Sequence, residues 1–135
     1  RNFNIDSISV GITDNPDYSR MTITTYGDKK QVDQIVKQLD KMIDTIDVKH
    51  LDEHKTLYRE LSLFKIKLSN ANDSMEINKI ANAYGGQVHN VKKTSIMIEL
   101  TATPDQTNAF EELVKPFGII DVARTGVAAL QRSES

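Results

Sequence analysis

Two stretches of this chain match each other: Ile46-Asp47-Val48 and Ile120-Asp121-Val122 recur 74 residues apart, each after a segment with helical periodicity. Leu39 and Leu113 keep the same offset. Farther upstream, Met21-x-Ile23 and Ile96-x-Ile98 both alternate apolar and polar residues, as half-buried strands do. Self-similarity at such a spacing indicates a repeated structural unit. We therefore predict two copies of one small α+β unit.

The second copy follows a polar segment, residues 50–56, and contains six predicted elements. The first is a strand through Leu61, Leu63, Ile66 and Leu68, and the second is a helix capped by Asp73 and Glu76 and ended by Gly85-Gly86. Two strands of a hairpin follow, at residues 88–91 and 96–100. The last two are a helix that begins at Thr103-Pro104-Asp105-Gln106 and a strand through Ile120 and Val122. The apolar alternation of the first strand changes phase near Phe64, which predicts a bulge. The order is that of a ferredoxin-like split βαβ unit, a four-stranded antiparallel sheet with both helices on one face.

The first copy has only the later part of that order. Ile8, Val10 and Ile12 alternate as a strand, residues 21–26 return as its hairpin partner, and a capping box of Asp28 with Gln31 opens an apolar-striped helix. Residues 46–51 predict a last strand. Against the second copy, the first lacks a strand and a helix, about 25–30 residues. Because the chain starts at Arg1 and not at Met, we expect that piece to be missing from the sequence, and we predict domains at residues 1–52 and 57–130.

The predicted hairpin of the first copy has one apolar face and one face of small residues. The small residues are Ser7, Ser9, Gly11, Thr22 and Thr24. Such a face suits close approach of another chain or domain, and it equally suits contact with water. The pattern alone leaves both interpretations open.

Composition excludes several classes of protein. The chain has 135 residues, 39% of them hydrophobic and 27% charged, and a formal net charge of −2. No basic block is present, which argues against a dedicated nucleic-acid binder. The absence of cysteine excludes disulfides, thiolate metal sites and a cysteine nucleophile. No apolar run has the length of a membrane span, so we expect a cytoplasmic protein with no membrane contact.

The polar constellations in the sequence do not predict an active site. His50-Leu51-Asp52-Glu53-His54 lacks the spacing of a zinc-protease helix and is typical of a solvated connector. His89 has no acidic neighbour in sequence, and we expect a surface histidine. There is no glycine-rich phosphate loop and no Ser/His/Asp set in a recognisable context. The sequence predicts neither catalytic residues nor a metal site.

Four runs of residues carry a resemblance over essentially the whole chain. They are Phe3-Asn4-Ile5-Asp6-Ser7, Ser19-Arg20-Met21-Thr22-Ile23, Arg59-Glu60-Leu61 and Val122-Ala123-Arg124-Thr125-Gly126. In this order and spacing they resemble the family of small, regulatory subunits of acetolactate synthase (acetohydroxyacid synthase). The resemblance implies tandem ferredoxin-like domains, the first an ACT domain (a βαββαβ effector-binding unit). It also implies a homodimer or higher homo-oligomer that binds a branched-chain amino acid, usually valine, as feedback inhibitor.

The same resemblance implies a division of labour with a second protein. Thiamine diphosphate, Mg²⁺ and often FAD would be held by the catalytic subunit, with no cofactor in this chain. This chain would be a non-catalytic part of a transferase complex in branched-chain amino acid biosynthesis. The alternatives that we weighed are an amino-acid-responsive regulator of transcription or of another enzyme, and an acylphosphatase-like enzyme. The first lacks a helix-turn-helix or other basic DNA-reading segment, and the second lacks an arginine at residues 68–74.

Site residues follow from the resemblance only in part. Asn4 and Ile5 match the family's Asn-Ile pair and are the expected effector-binding residues, and Gly11 on the same strand would leave room near an interface. Asn2 stands where the family usually has Gly. The alternative role for Asn4 is to cap its own turn. Arg20 and Arg124 are candidates for partner contact. Their alternatives are a hairpin-end ion pair with Asp14 or Asp17, and a charge that closes the last strand.

Overall fold

The computed structural model describes residues 5–25, 27–41, 47–49 and 51–133. Its strands are β1 (Ile5–Ile12), β2 (Ser19–Thr25), β3 (Thr56–Lys67), β4 (Gln87–His89), β5 (Ser95–Ala102) and β6 (Ile119–Gln131). Its α-helices are α1 (Lys29–Asp40), α2 (Asp73–Ala83) and α3 (Pro104–Val114). Short 3₁₀ turns at Glu53–Lys55 and Lys115–Phe117 precede β3 and β6.

The chain divides into two compact units. Unit 1 consists of Arg1–Tyr58 together with Val127–Ser135, and unit 2 consists of Arg59–Gly126. The start of β3 and the end of β6 therefore belong to unit 1. The predicted boundaries, 1–52 and 57–130, came from the repeat and stay a prediction about the repeated domains.

Unit 2 has the predicted ferredoxin-like topology. The sheet order is β4-β5-β3-β6, and β5 pairs antiparallel with both β3 and β4. One face of this sheet packs with α2 and α3 into a core of buried residues: Phe64, Ile66, Ile77, Ala81, Ile96, Ile98, Leu100, Ala102, Phe110 and Val114. The α+β class and the tandem ferredoxin-like assignment are confirmed.

The phase predicted for β3 is wrong. Its buried side chains are the even-numbered ones, including Phe64 and Ile66, while Leu61 and Leu63 lie on the opposite, exposed face. The pairing with β5 runs without a break from Glu60–Ala102 to Lys67–Ser95, so the predicted bulge near Phe64 is absent. The regular alternation continues through two buried polar residues, Glu60 and Ser62, which apolar periodicity does not reveal.

Both ends of α2 are held by local hydrogen bonds, but Asp73 does not cap the helix as predicted. It is the first helical residue, and its carboxylate accepts the N–H groups of Ser69 and Asn70 at 2.8 and 2.9 Å, in the turn before the helix. At the other end Gly85 has φ +73°, and the N–H of Gly86 bonds to the carbonyl of Ala81 at 2.8 Å. This is a Schellman ending, which needs a left-handed residue, as the Gly-Gly pair predicted.

The start of α3 follows the sequence prediction. Thr103 Oγ1 accepts the N–H of Gln106, and the Gln106 side chain accepts the N–H of Thr103, with Pro104 in the first helical position. The helix then buries Phe110, whose ring meets Phe64 edge-on at a centroid distance of 5.0 Å. The capping box thus sets the helix in the register that brings Phe110 into the core.

Strand β6 contains a local irregularity at Thr125-Gly126. Gly126 has φ +84°, a left-handed backbone that side chains with a Cβ rarely adopt. Beside it, Thr125 Oγ1 accepts the N–H of Leu61 at 3.1 Å and so takes the place of a backbone carbonyl in the ladder. The strand lies beside β3 in the sheet, and just before it begins the carbonyl of Gly118 accepts the N–H of Lys67 at 2.8 Å.

Unit 1 contains the predicted hairpin and helix. β1 and β2 pair antiparallel from Ile5–Thr25 to Ile12–Ser19, and the Asp28–Gln31 capping box opens α1 at 2.8 Å from Gln31 N to Asp28 Oδ1. A last strand was predicted at residues 46–51. Of these, residues 47–49 and 51 are described and form no strand, and Ile46 and His50 lie outside the described residues.

The repeat is real, but its offset through the strands and helices is 75 residues. The N-caps Asp28 and Thr103 differ by 75, and so do the buried helix residues Ile35 and Phe110. Leu113, which the 74-residue offset matched with Leu39, is 48% exposed, whereas Val114 is buried. A single-residue length difference after the helix therefore separates the two repeats before their Ile-Asp-Val sequences.

Candidate functional site

The predicted effector-binding residues lie at the start of β1. Asn4 is outside the described residues, and Ile5 is the first residue of the strand. The pairing of Ile5 with Thr25 and of Ser7 with Thr24 leaves one extra residue, Asp6, on β1. Such bulges disrupt the ladder locally and often lie beside functional sites. The effector role of Asn4 and Ile5 stays a prediction.

Gly11 lies far from that end of the strand. Six residues separate it from Ile5, about 20 Å of extended backbone. Gly11 pairs with Arg20 on β2, and a Cβ at Gly11 would have no atom within 4 Å. Within one chain the structure does not bring Gly11 and Ile5 into one small-molecule site. The room that Gly11 leaves is consistent with its predicted place beside an interface, which stays a prediction.

The small-residue face of the hairpin is in contact with the end of the chain's own last strand. Ser9 Oγ donates to the carbonyl of Val127, and Val127 is buried. Ser7, on the same face, has a buried Oγ that makes no hydrogen bond within the described part of the chain. Around Ser9 this face is therefore covered by a strand of its own unit, and close approach of another chain or domain stays a prediction.

Arg20 does not form the hairpin-end ion pair that was the alternative to partner contact. The turn before it is closed by its own polar groups: Asn15 Oδ1 accepts the N–H of Asp17 at 3.0 Å, and Asn15 C=O accepts the N–H of Tyr18 at 3.1 Å. Among the described residues, no carboxylate lies within 4.0 Å of the Arg20 guanidinium, which is exposed. Partner contact by Arg20 stays a prediction.

Arg124 is the centre of a polar cluster in unit 2. Its Nε donates to Glu60 Oε1 at 3.2 Å and its Nη2 to Glu60 Oε2, so that the pair is bidentate. Its Nη1 donates to Asn108 Oδ1 at 2.8 Å and lies 3.8 Å from Glu111 Oε1. The Glu60 side chain is 3% exposed and that of Arg124 is 28% exposed. The cluster joins β3, β6 and α3, and Arg124 lies inside β6, so it does not close the strand, which continues to Gln131. Partner contact by Arg124 stays a prediction.

Sequence reasoning missed the partners of two charged residues. Glu60 is buried, and the available signal was its position in phase with Phe64 and Ile66 on β3. His89 has an acidic partner after all, because its Nε2 lies 2.9 Å from Glu99 Oε1 across the β4–β5 pair. Both partners are distant in sequence and become neighbours only through strand register.

The connector before β3 is an ordered turn. Asp52 Oδ1 accepts the N–H of His54 at 2.9 Å, and Thr56 Oγ1 donates to the carbonyl of Asp52 at 2.6 Å. No three His, Asp or Glu side chains converge as metal ligands in the ranges that the structure describes. None of the helices in those ranges combines the length and the apolar character that crossing a bilayer requires.

Comparison with known proteins gives matches along almost the whole chain. Residues 59–133 match the family model described as the small subunit of acetolactate synthase, and residues 1–47 match the AHAS small subunit-like ACT domain. A probable acetolactate synthase small subunit of Methanothermobacter thermautotrophicus is 38% identical over 132 residues, which are 98% of this chain and 79% of that protein. The small subunit of Aquifex aeolicus is 39% identical over 135 residues, 100% of this chain and 70% of that protein.

A solved structure shares the fold. The crystal structure of the acetolactate synthase small subunit from Thermotoga maritima superposes with a TM-score of 0.87 at 31% sequence identity. The superposition covers 98% of this chain and 83% of that one. Both units of the chain are therefore found in one known protein, in the same order.

Proposed function

The chain belongs to the family of acetolactate synthase small subunits, and from that premise we propose that it regulates a separate acetolactate synthase catalytic subunit. In this role it activates the catalytic subunit and makes it sensitive to a branched-chain amino acid, valine. The observation that carries the proposal is the similarity of the whole chain, in both of its units, to proteins named as small subunits.

The exposed apolar face of the hairpin supports the proposal that the chain functions as part of a complex. Met21 is 58% exposed and Ile12 is 94% exposed, together with Ile8 and Val10 on the same strand face. At the equivalent position of unit 2, 75 residues on from Met21, Ile96 is fully buried. Contiguous exposed apolar side chains mark sites of interaction. Unit 1 thus presents a surface that is expected to be covered in the functional complex, which we propose contains two copies of the chain.

The polar groups of unit 2 support a regulatory role more than a catalytic one. Its buried carboxylates are engaged in structure: Glu60 pairs with Arg124, and Asp73 accepts two backbone N–H groups. We assign no reacting group to this chain. Thiamine diphosphate, Mg²⁺ and FAD would belong to the catalytic subunit, where the carbon–carbon bond of acetolactate is formed, and the location of both would be the cytoplasm.

Control by valine requires two arrangements of the complex with different affinities for valine. A ligand shifts such an equilibrium only by the ratio of its affinities for the two states. The proposed valine contact is at Asn4 and Ile5. Backbone N–H groups there would donate to the carboxylate of valine, and the Asn4 side-chain amide would accept from its ammonium group or donate to its carboxylate. Valine bound there would favour the arrangement in which the catalytic subunit is less active.

Reconstitution with the catalytic subunit of the same organism tests this function. Acetolactate formation is measured for the catalytic subunit alone, with the chain, and with the chain plus millimolar valine, and alanine serves as the control amino acid. We expect the chain to raise the rate and valine to lower it only when the chain is present. Asn4→Ala should abolish the response to valine while activation remains, and Asn78→Ala, on the exposed surface of α2, should change neither.

The outcomes separate the parts of the proposal. An unchanged rate on addition of the folded chain would refute regulation of this partner. Activation without any response to valine, leucine or isoleucine would refute the effector part alone. Loss of activation by Asn4→Ala would show that Asn4 serves assembly and not valine binding.

A further inference from the structure

Helix α1 has lysines along one line of its exposed surface. At 100° per residue, Lys30, Lys37 and Lys41 lie within about 40° of one another around the helix axis and span about 16 Å along it. Lys41 is the C-cap residue, and all three are exposed. The buried Ile35 lies on the opposite side. We call Lys30, Lys37 and Lys41 the lysine stripe.

The lysine stripe has no ion-pair partner in the chain as far as it is described. Asp33 is three residues after Lys30 and four before Lys37, the usual spacing of helical ion pairs, yet none of these lysines has a described carboxylate within 4.0 Å. By the same measure, Lys115 on the other repeat does meet Glu112, at 3.8 Å. The stripe is therefore available for a carboxylate from another molecule.

The repeat shows that the fold does not require these lysines. At the positions 75 residues on, α3 has Asp105 in place of Lys30 and Glu112 in place of Lys37. The first turn of α1 contains two lysines and no acidic residue, although the helix dipole disfavours cations there. The first turns of α2 and α3 contain acidic residues. The dipole does favour Lys37 in the last turn and Lys41 at the C-cap, so helix stability explains neither Lys30 nor the contrast between Lys37 and Glu112 at the equivalent position of α3.

We propose that the lysine stripe is a docking surface for an acidic surface of the catalytic subunit; this inference rests on the proposed function. A line of ammonium groups about 16 Å long matches carboxylates presented along one element of a folded protein. Nucleic acid fits less well, because the chain has a net charge of −2 and Asp33 and Asp40 lie on the same helix. Exposed lysines of this kind accelerate and orient association more than they hold the complex together.

Charge reversal against a matched control tests the surface. The full chain is compared with the triple variant Lys30→Glu/Lys37→Glu/Lys41→Glu and with the control variant Lys79→Glu/Lys92→Glu/Lys93→Glu. The control reverses three exposed lysines of unit 2, so the two variants have the same net charge. Association with the catalytic subunit is followed by stopped-flow or surface plasmon resonance between about 0.03 and 0.5 M salt, a range in which screening changes strongly.

We expect the stripe variant to associate roughly 10- to 100-fold more slowly at low salt, and its rate should rise with added salt because the salt screens the repulsion between like charges. The control variant should stay within about twofold of the unsubstituted chain. Circular dichroism and a melting curve check the fold, because the dipole favours Lys30→Glu in the first turn of α1 but disfavours Lys37→Glu and Lys41→Glu at its C-terminal end. Lys30→Gln/Lys37→Gln/Lys41→Gln, which removes charge without reversing it, should give an intermediate rate.

Each other result overturns the inference. Equal slowing by the two triple variants would indicate a general effect of net charge, and no slowing by either would remove the docking surface while the proposed function stood. A change in the sedimentation of the stripe variant alone, without the catalytic subunit, would assign the stripe to contact between copies. If the unsubstituted chain did not bind the catalytic subunit at all, the proposed function would fail together with the docking surface.

Discussion

Replacement of Arg124 by methionine separates the structural role of this residue from the partner contact suggested by the sequence. Methionine keeps an unbranched apolar chain and removes the guanidinium that holds both oxygens of Glu60. The Glu60 carboxylate, 3% exposed, would then be buried without a cation. Loss of one partner of a buried ion pair costs about 3–5 kcal/mol. Because the Arg124 side chain is itself 28% exposed and water can enter on that side, we expect the lower end, about 3 kcal/mol.

The paired replacement predicts a different result. In Glu60→Leu/Arg124→Leu no charge is left buried, and apolar residues of similar volume often replace such a pair without loss. The double variant should therefore unfold within about 1 kcal/mol of the unsubstituted chain, although each single replacement is costly. Non-additivity of this size is the sign of a direct interaction.

Urea unfolding followed by circular dichroism measures these free energies, and hydrogen exchange of the β3 amides shows whether unit 2 is the part affected. Binding to the catalytic subunit is measured on the same variants. A cost below about 1 kcal/mol for Arg124→Met, combined with weaker binding, would refute the structural explanation and assign Arg124 to the partner interface.

Other replacements test the packing, capping and backbone features by the same unfolding measurement. Phe110→Ala should cost about 3–5 kcal/mol, since Phe110 is fully buried against Phe64; a cost under 2 would mean that the core closes around the gap. Thr103→Ala should cost about 1 kcal/mol through the lost cap, and no loss would show water replacing it. Gly126→Val should cost about 2 kcal/mol because of the positive φ, and a cost near zero would contradict backbone strain at this position. Gly11→Ala should change stability by less than about 0.5 kcal/mol; a drop in sedimentation coefficient without unfolding would locate an interface at Gly11.

Features set by a few neighbouring residues were predictable from the sequence. The capping boxes at Asp28 and Thr103 and the glycine ending of α2 appear where the residues indicate, because each uses side chains within one turn of the helix end. The order of elements in unit 2 followed from these signals together with strand alternation. Local chemistry thus determines most of the boundaries, the predicted Asp73 cap of α2 being the exception, and the order of elements then selects the topology.

Features set by distant residues were not predictable. The phase of β3 was misjudged because Glu60 and Ser62 are buried. Glu60 accepts hydrogen bonds from Arg124, and Ser62 Oγ donates to the carbonyl of Leu100. The acidic partner of His89 likewise comes from another strand. Prediction from apolar periodicity assigns polar residues to the surface. The prediction is wrong where a buried polar group has its hydrogen-bond partner far along the chain.

The candidate site was predictable only as far as the resemblance reached. Asn4 and Ile5 were proposed because they match residues of the family. The lysine stripe belongs to a helix that the sequence predicted, but no role for the stripe was predicted. Its significance depends on the comparison with α3 at an offset of 75 residues, which the positions of the two N-caps and of the two buried helix residues confirm. A helix with a solvated basic face is ordinary by itself.

The two repeats have the same scaffold and different surfaces, and this difference suggests how their roles divide. In unit 2 the helical face of β5 is fully covered, since Ile96 and Leu100 are both buried. In unit 1 the equivalent hairpin face is exposed at Met21, and α1 has cations where α3 has carboxylates. A closed core favours one arrangement, while an exposed apolar face and a stripe of lysines without ion pairs among the described residues leave a surface for other molecules. The proposed regulation should therefore depend on unit 1, and substitutions that leave folding intact but alter control should concentrate there.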